Sequence, residues 1–342
     1  MRLCLRHCEG HKPTPCHTLD LHIMANSDPL DGKLVLLLGG NGMLGTHIAQ
    51  ELLARGARLR IASRYPKRSF NLKTLANLGQ IQFAACNVTK PQTIAPLMAG
   101  VDAVVYLVGA FTGDLEALHV GGPQAAAEAA RAAGANTFVH ISAIGADAGS
   151  SVAYARTKAA GEAAVLAAFP HATILRPSAL AAEEDNFINK FAGLIASLPV
   201  VPVLAPTAKL QPLFVDDAAK AVVAAVADPV KHGGTIYEIA GPQAIEVAAL
   251  NRQIATAQER KRTFVELSDG ISGTLAALTG WLPGAPITRD QWHLLKAGSA
   301  PSGQFPGIEA LGVTPLPLSL LLDRWMVRYR KSGRFGVDAK TV

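Results

Sequence analysis

Short apolar runs alternate along the chain with helical patterns, beginning near residue 33. Lys33–Leu38 is a short apolar run typical of a strand buried on both faces of a parallel sheet. A glycine-rich stretch follows, and then a helical pattern to Arg55, with Gly56 placed to end the helix. Arg58–Ser63 has the pattern of a second strand. The sequence therefore predicts a βαβ unit with glycines at its first strand-to-helix turn.

The same alternation continues to about residue 176. Further strands are predicted at Ile81–Cys86, Asp102–Val108, Thr137–Ser142 and Thr173–Arg176, and helices at Gly121–Ala133 and Ser151–Phe169. Repeated βα units predict an α/β protein with a Rossmann-type, doubly wound parallel sheet. Ligands of such sheets bind at the carboxyl ends of the strands. One rim of the sheet should therefore carry Gly39–Gly45, Arg64, Asn87, Gly109 and Ser142.

The pattern is looser after Gln243. It predicts a helix at Val247–Ala257, a strand at Thr263–Leu267 and a helix at Ile271–Trp281, together a small C-terminal α/β substrate lobe. We expect a dinucleotide-binding domain at residues 32–242, with part of this lobe inserted after about residue 178. Residues 243–342 form the rest of the lobe and a basic tail. No metal site is expected in either part.

Residues 1–31 lack helical or strand periodicity and read as an extension. Cys4, Cys8 and Cys16 lie here, but their spacing matches no compact zinc site, so a disordered tail is favoured over a metal site. A chain starting at Met24 would enter the first strand almost directly, so the first 23 residues could also reflect an upstream mis-start.

Composition narrows the class of protein. The 342 residues are 49% hydrophobic and 17% charged, which excludes a disordered or fibrous chain. No apolar run is long enough to span a bilayer. The net charge of +6 favours an anionic partner, but without a long basic tract no nucleic acid is expected. A single cysteine after residue 31 is typical of a reducing compartment such as the cytoplasm.

The glycines at positions 39, 42 and 45 predict a dinucleotide site. A pyrophosphate binds backbone N–H groups at a helix N-terminus, where side chains would block its approach. Gly45 would let the helix pack closely on the sheet. A glycine motif between a buried strand and a helix, ahead of a second strand, is a strong signal for this function.

The end of the second predicted strand indicates which dinucleotide. NAD enzymes usually place an acidic residue there to hold the adenosine ribose. Here Ser63 is followed by Arg64, with Lys67 and Arg68 close behind. Arg64 could pair with a 2′-phosphate, which favours NADP(H) over NAD(H).

Candidate catalytic residues fall on the same rim. Ser142 ends the fifth strand, and Tyr154 and Lys158 lie four apart at the start of the next helix, on one helix face. A neighbouring ammonium and the nicotinamide charge would lower the pKa of a tyrosine and make it a usable acid or base. Ser142 could hydrogen-bond a substrate oxygen, and Lys158 could hold the nicotinamide ribose.

In these motifs the chain resembles the extended or atypical short-chain dehydrogenases/reductases, from about Lys33 to Pro242. Gly39, Gly42 and Gly45 match their glycine loop, and Ser142, Tyr154 and Lys158 match their Ser–Tyr–Lys set. Leu175–Ser178 matches the segment that flanks the nicotinamide. The resemblance implies cofactor contacts from Gly39, Asn41, Gly42, Met43, Leu44, Ser63, Arg64, Asn87, Val88, Val108, Gly109, Tyr154, Lys158 and Pro177.

A narrower resemblance covers most of the chain after residue 30. The stretches Gly39–Gly45, His140–Asp147, Tyr154–Glu162, Pro286–Gln291 and Arg328–Arg330 are similar to those of NADPH-binding accessory subunits of respiratory complex I and their bacterial relatives. This implies an accessory or assembly role for NADH–ubiquinone oxidoreductase. A neighbouring branch is implicated in ubiquinone biosynthesis. Members of the group are often cofactor-bound without demonstrated turnover, so the resemblance implies binding more firmly than catalysis.

Two departures bear on the site. Asn87 stands where many relatives carry Asp facing the adenine amino group, and its amide oxygen could still accept that bond. Ala179–Asp185 lacks the usual glycine–proline turn, which affects the substrate side more than the cofactor side.

Three functions and two locations stay open. The alternatives to an accessory protein are an active NADPH-dependent reductase or epimerase, acting on a quinone-biosynthesis, lipid or sugar-nucleotide intermediate, and a redox-sensing regulator, which nothing specific supports. The protein would lie in the cytoplasm or peripherally on the inner membrane face, the matrix side in a eukaryote. The last apolar segment, Leu320–Leu322 with Trp325 and Met326, could face an anionic membrane or partner, or dock on its own domain.

Overall fold

Apolar strands build one parallel sheet at the centre of the protein. The computed structural model describes residues 28–279, 288–331 and 333. Its strands are β1 (Leu34–Leu38), β2 (Arg58–Ser63), β3 (Ile81–Ala85), β4 (Ala103–Tyr106), β5 (Thr137–Ile141), β6 (Thr173–Pro177), β7 (Leu180–Ala181), β8 (Val200–Val203), β9 (Lys209–Leu210), β10 (Leu213–Phe214), β11 (Ile236–Ile239), β12 (Ile245–Glu246) and β13 (Thr263–Glu266). Seven of them pair in the order β11-β6-β5-β4-β1-β2-β3, all parallel.

Helices cover both faces of this sheet, which confirms the predicted doubly wound architecture. The helices are α1 (Met43–Ala54), α2 (Gly122–Ala132), α3 (Ala153–Ala168), α4 (Ile188–Ser197), α5 (Val215–Ala227), α6 (Pro229–His232), α7 (Val247–Ala257), α8 (Asp269–Thr279), α9 (Arg289–Ala297) and α10 (Leu318–Trp325). Side chains of β1 alternate between two cores: Val35 and Leu37 pack with α1 and α5, and Leu36 packs with α2 and α3.

A second unit forms beyond β6. Its core is built mainly from α4, β8, α7 and α10, with Leu295 of α9. The parallel pair β8–β13 and the short pairs β7–β10 and β9–β12 belong to this region. The chain then returns to the first core, where Ile308, Leu311 and Val313 pack. Residues on both sides of position 243 therefore contribute to the first core and to the core of the second unit, whereas the core packed with α2 and α3 contains only earlier residues.

The predicted elements agree with the structure apart from their ends. β4 stops at Tyr106, because the chain leaves the sheet there as a glycine-containing loop. A π-helical turn, Ala117–Gly121, precedes α2, and the Tyr106 hydroxyl donates to the Leu118 carbonyl within it, at 2.7 Å. The helix predicted at Ile271–Trp281 begins two residues earlier, as α8.

Most of the predicted extension, including the cysteine candidates and Met24, lies outside the described residues. Its last residues are described and belong to the fold. Leu30 is buried in the first core, and Asp28 accepts two hydrogen bonds from the Arg55 guanidinium. No helix among the described residues is long and apolar enough to cross a membrane.

Candidate functional site

The loop between β1 and α1 has the shape of a phosphate cradle. Gly39 has φ +86°, and a Cβ there would lie 2.9 Å from Cγ2 of Val108. A Cβ on Gly45 would lie 2.6 Å from Cα of Gly40. Gly42 precedes α1 and provides no side-chain cap, and the first turn of α1 carries no acidic residue. The amides at this helix end are therefore open to an anion, as a dinucleotide pyrophosphate requires.

The other predicted cofactor residues follow strands at the same rim. Asn41 precedes Gly42 in the loop, and Met43 and Leu44 begin α1. Ser63 and Arg64 lie at the end of β2, Asn87 and Val88 after β3, Val108 and Gly109 after β4, and Pro177 at the end of β6. A Cβ added to Gly109 would lie 3.5 Å from Nζ of Lys158, so the β4 loop and α3 meet here. The residues therefore lie along one rim of the sheet, as the topology predicts.

Arg64 is exposed beside the glycine loop. Its guanidinium lies 6.0 Å from the centroid of the Tyr65 ring, and it forms no ion pair within the described part of the chain. Ser63, directly before it, has a buried hydroxyl without a hydrogen-bond partner among the described residues. Both groups have unused hydrogen-bonding capacity, which suits a phosphorylated ribose.

Asn87 uses its amide oxygen locally. The oxygen accepts from the Thr89 amide at 3.2 Å and from the Thr89 hydroxyl at 3.0 Å. Both of its lone pairs are therefore engaged. The role expected for this oxygen, acceptance from an adenine amino group, would require a rearrangement of the Thr89 turn.

Ser142, Tyr154 and Lys158 lie where β5 and α3 meet. Ser142 follows β5, and its hydroxyl is buried without a hydrogen-bond partner among the described residues. Lys158 is 3% exposed, and its ammonium donates to the Ile141 carbonyl at 2.9 Å. A buried, unpaired hydroxyl beside a fixed ammonium is a suitable setting for a polar ligand atom.

Burial dominates the acid–base properties of these groups. Desolvation raises the pKa of Tyr154 to about 12. It lowers the pKa of Lys158 to about 8, opposed by the charge of Glu162 one turn along α3. The pKa of Tyr154 is therefore raised, not lowered as expected from the sequence, because burial is the dominant effect, and a phenol buried in this way is a proton donor. A pKa of about 8 leaves the Lys158 ammonium mainly charged at neutral pH.

His119 is a site residue that the sequence analysis missed. It is fully buried, and its Nε2 accepts from the Ala110 amide at 3.2 Å. Nδ1 therefore carries the proton and donates to the Thr157 hydroxyl at 2.8 Å. Burial lowers the pKa of His119 to about 4, so the ring stays neutral. Its ring packs edge-on against Tyr154, with centroids 5.4 Å apart. The available signal in the sequence was a histidine two residues before the Gly121–Pro123 stretch, where α2 begins.

Phe111 is a second missed residue. It lies in the loop after β4 and stacks on Tyr154, with ring centroids 4.6 Å apart and an interplanar angle of 21°. The Phe111 side chain is 53% exposed, so it shields the tyrosine from solvent on one side. An aromatic residue between glycines 109 and 113 was the only sequence signal.

Asp185 organises the substrate side, where the glycine–proline turn is missing. Its carboxylate is buried and accepts from the backbone amides of Phe187 at 2.7 Å and Ile188 at 2.6 Å, at the start of α4. It also accepts from the Ala182 amide at 3.2 Å. A turn held by the Asp185 carboxylate therefore stands in place of the glycine–proline turn.

The C-terminal helix α10 docks on its own lobe. Leu322, Trp325 and Met326 are buried in the lobe core. Of the two interpretations of this segment, the structure shows the docked helix, and only Leu320 among its leucines is largely exposed.

Comparison with known families agrees with this geometry. The model of the "NAD dependent epimerase/dehydratase family" matches residues 35–240. The chain belongs to this family. The match begins in β1, ends after β11 and so contains the whole seven-stranded sheet.

Similarities to individual proteins cover different shares of this chain. Subunit 9 of the mitochondrial NADH dehydrogenase [ubiquinone] 1 alpha subcomplex from Mus musculus is 29% identical over 322 residues, which cover 92% of this chain and 85% of the mouse protein. A ceramide reductase from Caulobacter vibrioides is 33% identical over 202 residues, covering 58% of this chain and 62% of the reductase.

Solved structures share the fold of this chain. The triphenylmethane reductase of a Citrobacter species, determined with NADP(H), has a TM-score of 0.70 and 16% sequence identity. The comparison covers 85% of this chain and 99% of the reductase. At this identity, the similarity shows the shared architecture alone.

Proposed function

We propose that the protein is an NADP(H)-binding accessory or assembly protein of NADH–ubiquinone oxidoreductase. The observation that carries the proposal is the extent of its similarity to alpha subcomplex subunit 9. The family model ends at residue 240, whereas the similarity to the mouse subunit covers 92% of the chain. The C-terminal lobe is therefore shared as well as the dinucleotide fold.

The proposed cofactor is NADP(H), and the residues present fit it. The open helix end at Gly42 would hold the pyrophosphate, and the exposed Arg64 guanidinium would hold a 2′-phosphate. Residues 52–101 contain no Asp or Glu. The end of β2 therefore carries no carboxylate of the kind that holds the adenosine ribose in NAD enzymes. The proposed place of work is the inner face of the respiratory membrane, the matrix side in a mitochondrion.

Native-size separation tests this proposal. The full chain carries an affinity tag in its own host, membranes are solubilised gently, and fractions are assayed for the chain and for NADH–quinone reductase activity. We expect the chain to migrate with that activity, or with a smaller assembly intermediate that contains subunits of the complex. A tagged membrane protein of unrelated function is the control. Recovery of the chain only at its own size would contradict the proposal.

A second candidate function is an NADPH-dependent reductase or epimerase, and the retained Ser142, Tyr154 and Lys158 favour it. The ceramide reductase relative supports a lipid intermediate as substrate. Bound NADPH would supply a hydride to a carbonyl carbon. The Tyr154 phenol would deliver the proton to the carbonyl oxygen, and Ser142 would donate a hydrogen bond to the same oxygen. Lys158 would keep its charge close to the phenol and stabilise the phenolate that results.

Tyr154→Phe tests the acid–base role. The variant keeps the ring that stacks on Phe111 and loses only the hydroxyl. We expect NADPH affinity to stay within about threefold, and any reductase activity found in a substrate screen to fall about 10²- to 10⁴-fold. Phe111→Leu, which removes the stacking partner, is the matched control. Loss of NADPH binding in Tyr154→Phe would make the tyrosine structural.

A further inference from the structure

One stretch of the chain, which includes the outer strand of the main sheet, carries basic residues and no acidic ones. No Asp or Glu occurs between Glu51 and Asp102, and the stretch holds eight Lys and Arg residues. The rest of the chain carries 24 basic and 26 acidic residues, so this stretch contributes the whole positive charge. It forms β2, β3 and the 3₁₀ segment Pro66–Leu75, and β3 is the outer strand of the main sheet.

These cations face solvent rather than acidic partners. Among the eight, only Arg55 forms an ion pair within the described residues, with Asp28 at 2.7 Å. Five others besides the cofactor candidate Arg64 are exposed: Arg58, Lys67, Arg68, Lys73 and Lys90. Their charge is therefore available to an anionic surface.

Large apolar side chains protrude between the cations. Leu78, in the turn before β3, is fully exposed at 105%, and Leu75, Phe70 and Tyr65 are 49%, 41% and 57% exposed. The Lys73 ammonium lies 4.1 Å from the Phe70 ring centroid, so cation and apolar group are side by side. Arg58 lies next to the Leu78 turn, because Leu59 donates to the Gln80 carbonyl at 2.8 Å.

We infer that this edge surface, formed by residues 58 and 65–90, attaches the protein peripherally to a membrane that contains anionic lipid. Exposed leucine and aromatic side chains enter the headgroup boundary, and the cations around them pair with lipid phosphates. An acidic protein could also use both the cations and the apolar side chains, so the vesicle experiment distinguishes the two kinds of partner. The inference goes beyond the proposed association with complex I, because a free reductase could use the same attachment.

The test uses the purified full chain and sedimentation with vesicles of phosphatidylcholine alone or with 30% phosphatidylglycerol. We expect binding only to the anionic vesicles, and less of it at about 0.5 M salt than at about 0.1 M, since salt screens the attraction. Arg58→Gln with Lys73→Gln should weaken binding about 25-fold, from about fivefold per cation. Leu78→Ser should weaken it about tenfold.

Matched variants on α10 provide the control. Leu320→Ser with Arg324→Gln removes an exposed leucine and an exposed cation from the docked helix. We expect unchanged vesicle binding, and unchanged melting temperatures show that the edge variants fold. Equal binding to neutral vesicles, loss of binding only in the α10 variant, or no vesicle binding at all would overturn the inference. The last result would assign the edge surface to an acidic protein.

Discussion

At the scale of single residues, the candidate site depends on glycines that lack a Cβ atom and on polar groups that have no partner among the described residues. The glycine loop works because no Cβ stands at positions 39 and 45, where it would meet Val108 or Gly40. The end of β2 suits a phosphate because Arg64 has no acidic neighbour among the described residues. Ser142 keeps a buried hydroxyl without a partner in the same part of the chain. Each of these groups is left open for something outside the chain.

The substitution Arg64→Gln should weaken the binding of NADPH more than the binding of NADH. A hydrogen bond to a charged group contributes about 1.5–3 kcal/mol, so we expect NADPH affinity to fall about 10- to 100-fold. NADH affinity should change little, because NADH has no 2′-phosphate. Isothermal titration with both cofactors measures this, with the exposed Arg324→Gln as control. Equal losses for NADH and NADPH would show that Arg64 does not read the phosphate.

The residue scale also shows which side chains the sequence could and could not place together. The positions of the glycine loop, Arg64 and the Ser–Tyr–Lys set at one rim of the sheet were predictable, because each has a fixed spacing on one element or at one strand end. His119 and Phe111 were not, since their contact with Tyr154 depends on how the β4 loop folds back onto α3. Asp185 was part of a segment known to depart from the family pattern, but its four-amide environment has no sequence signature.

At the scale of elements, one histidine joins three segments. His47 on α1 contacts the Asp216 carboxylate at the start of α5 through Nδ1, and Glu184, in the loop after β7, through Nε2 at 2.9 Å. Nearby, the Arg328 guanidinium bonds the Glu183 carbonyl. The loop that flanks the substrate side is therefore tied to both a sheet-covering helix and the C-terminal turn.

The charge of His47 should make stability depend on pH. The hydrogen bond that His47 donates to the Asp216 carboxylate raises the pKa of His47 above its usual 6.5. The stabilisation is therefore complete below pH 6.5 and is lost as pH rises through the higher folded-state value. Melting temperatures across pH 5.5–9 should show that the advantage of the wild type over His47→Gln shrinks as pH rises.

The exposed His171→Gln is the matched control, and it should leave the pH profile unchanged. If the difference between the wild type and His47→Gln stays constant from pH 5.5 to 9, folding does not shift the pKa of His47 and its contacts with Asp216 and Glu184 do not favour the charged ring.

At the scale of the whole molecule, a buried charge cluster joins distant parts of the chain. Arg176 on β6 pairs with Glu162 on α3 through bonds of 2.9 and 2.7 Å, and lies 3.7 Å from Glu238 on β11. Glu238 in turn accepts from the backbone and hydroxyl of Ser302, at 2.5 and 2.8 Å. The cluster fixes the returning segment to the sheet and places Glu162 one turn from Lys158.

Arg176→Met should destabilise the protein strongly. It leaves two buried carboxylates without their cation, which costs about 3–5 kcal/mol of unfolding free energy. Urea denaturation measures the loss. Arg252→Met is the control, because its pair with Glu266 is exposed and should contribute about 0–1 kcal/mol. Similar losses in both variants would show that burial does not set the strength of the Arg176 pair.

The whole-molecule arrangement was only partly predictable. The order of the sheet follows from βα alternation and right-handed crossovers. The return of residues 308–313 to the first core does not, because Ile308, Leu311 and Val313 lie in a short 3₁₀ segment and loop without helical or strand periodicity. Their positions are set by contacts with α5 and β11, which lie roughly 70–95 residues earlier in the chain.

That return has a consequence for biosynthesis. Because Val313 completes a core that begins at Leu30, the domain cannot close until most of the chain has left the ribosome. At about 5–20 residues per second, translation to this point takes on the order of 15–60 s. During that time the surface of α5 and β11 that Ile308 and Leu311 later cover is exposed on the nascent chain. Chaperone capture should therefore be a normal step in making this protein.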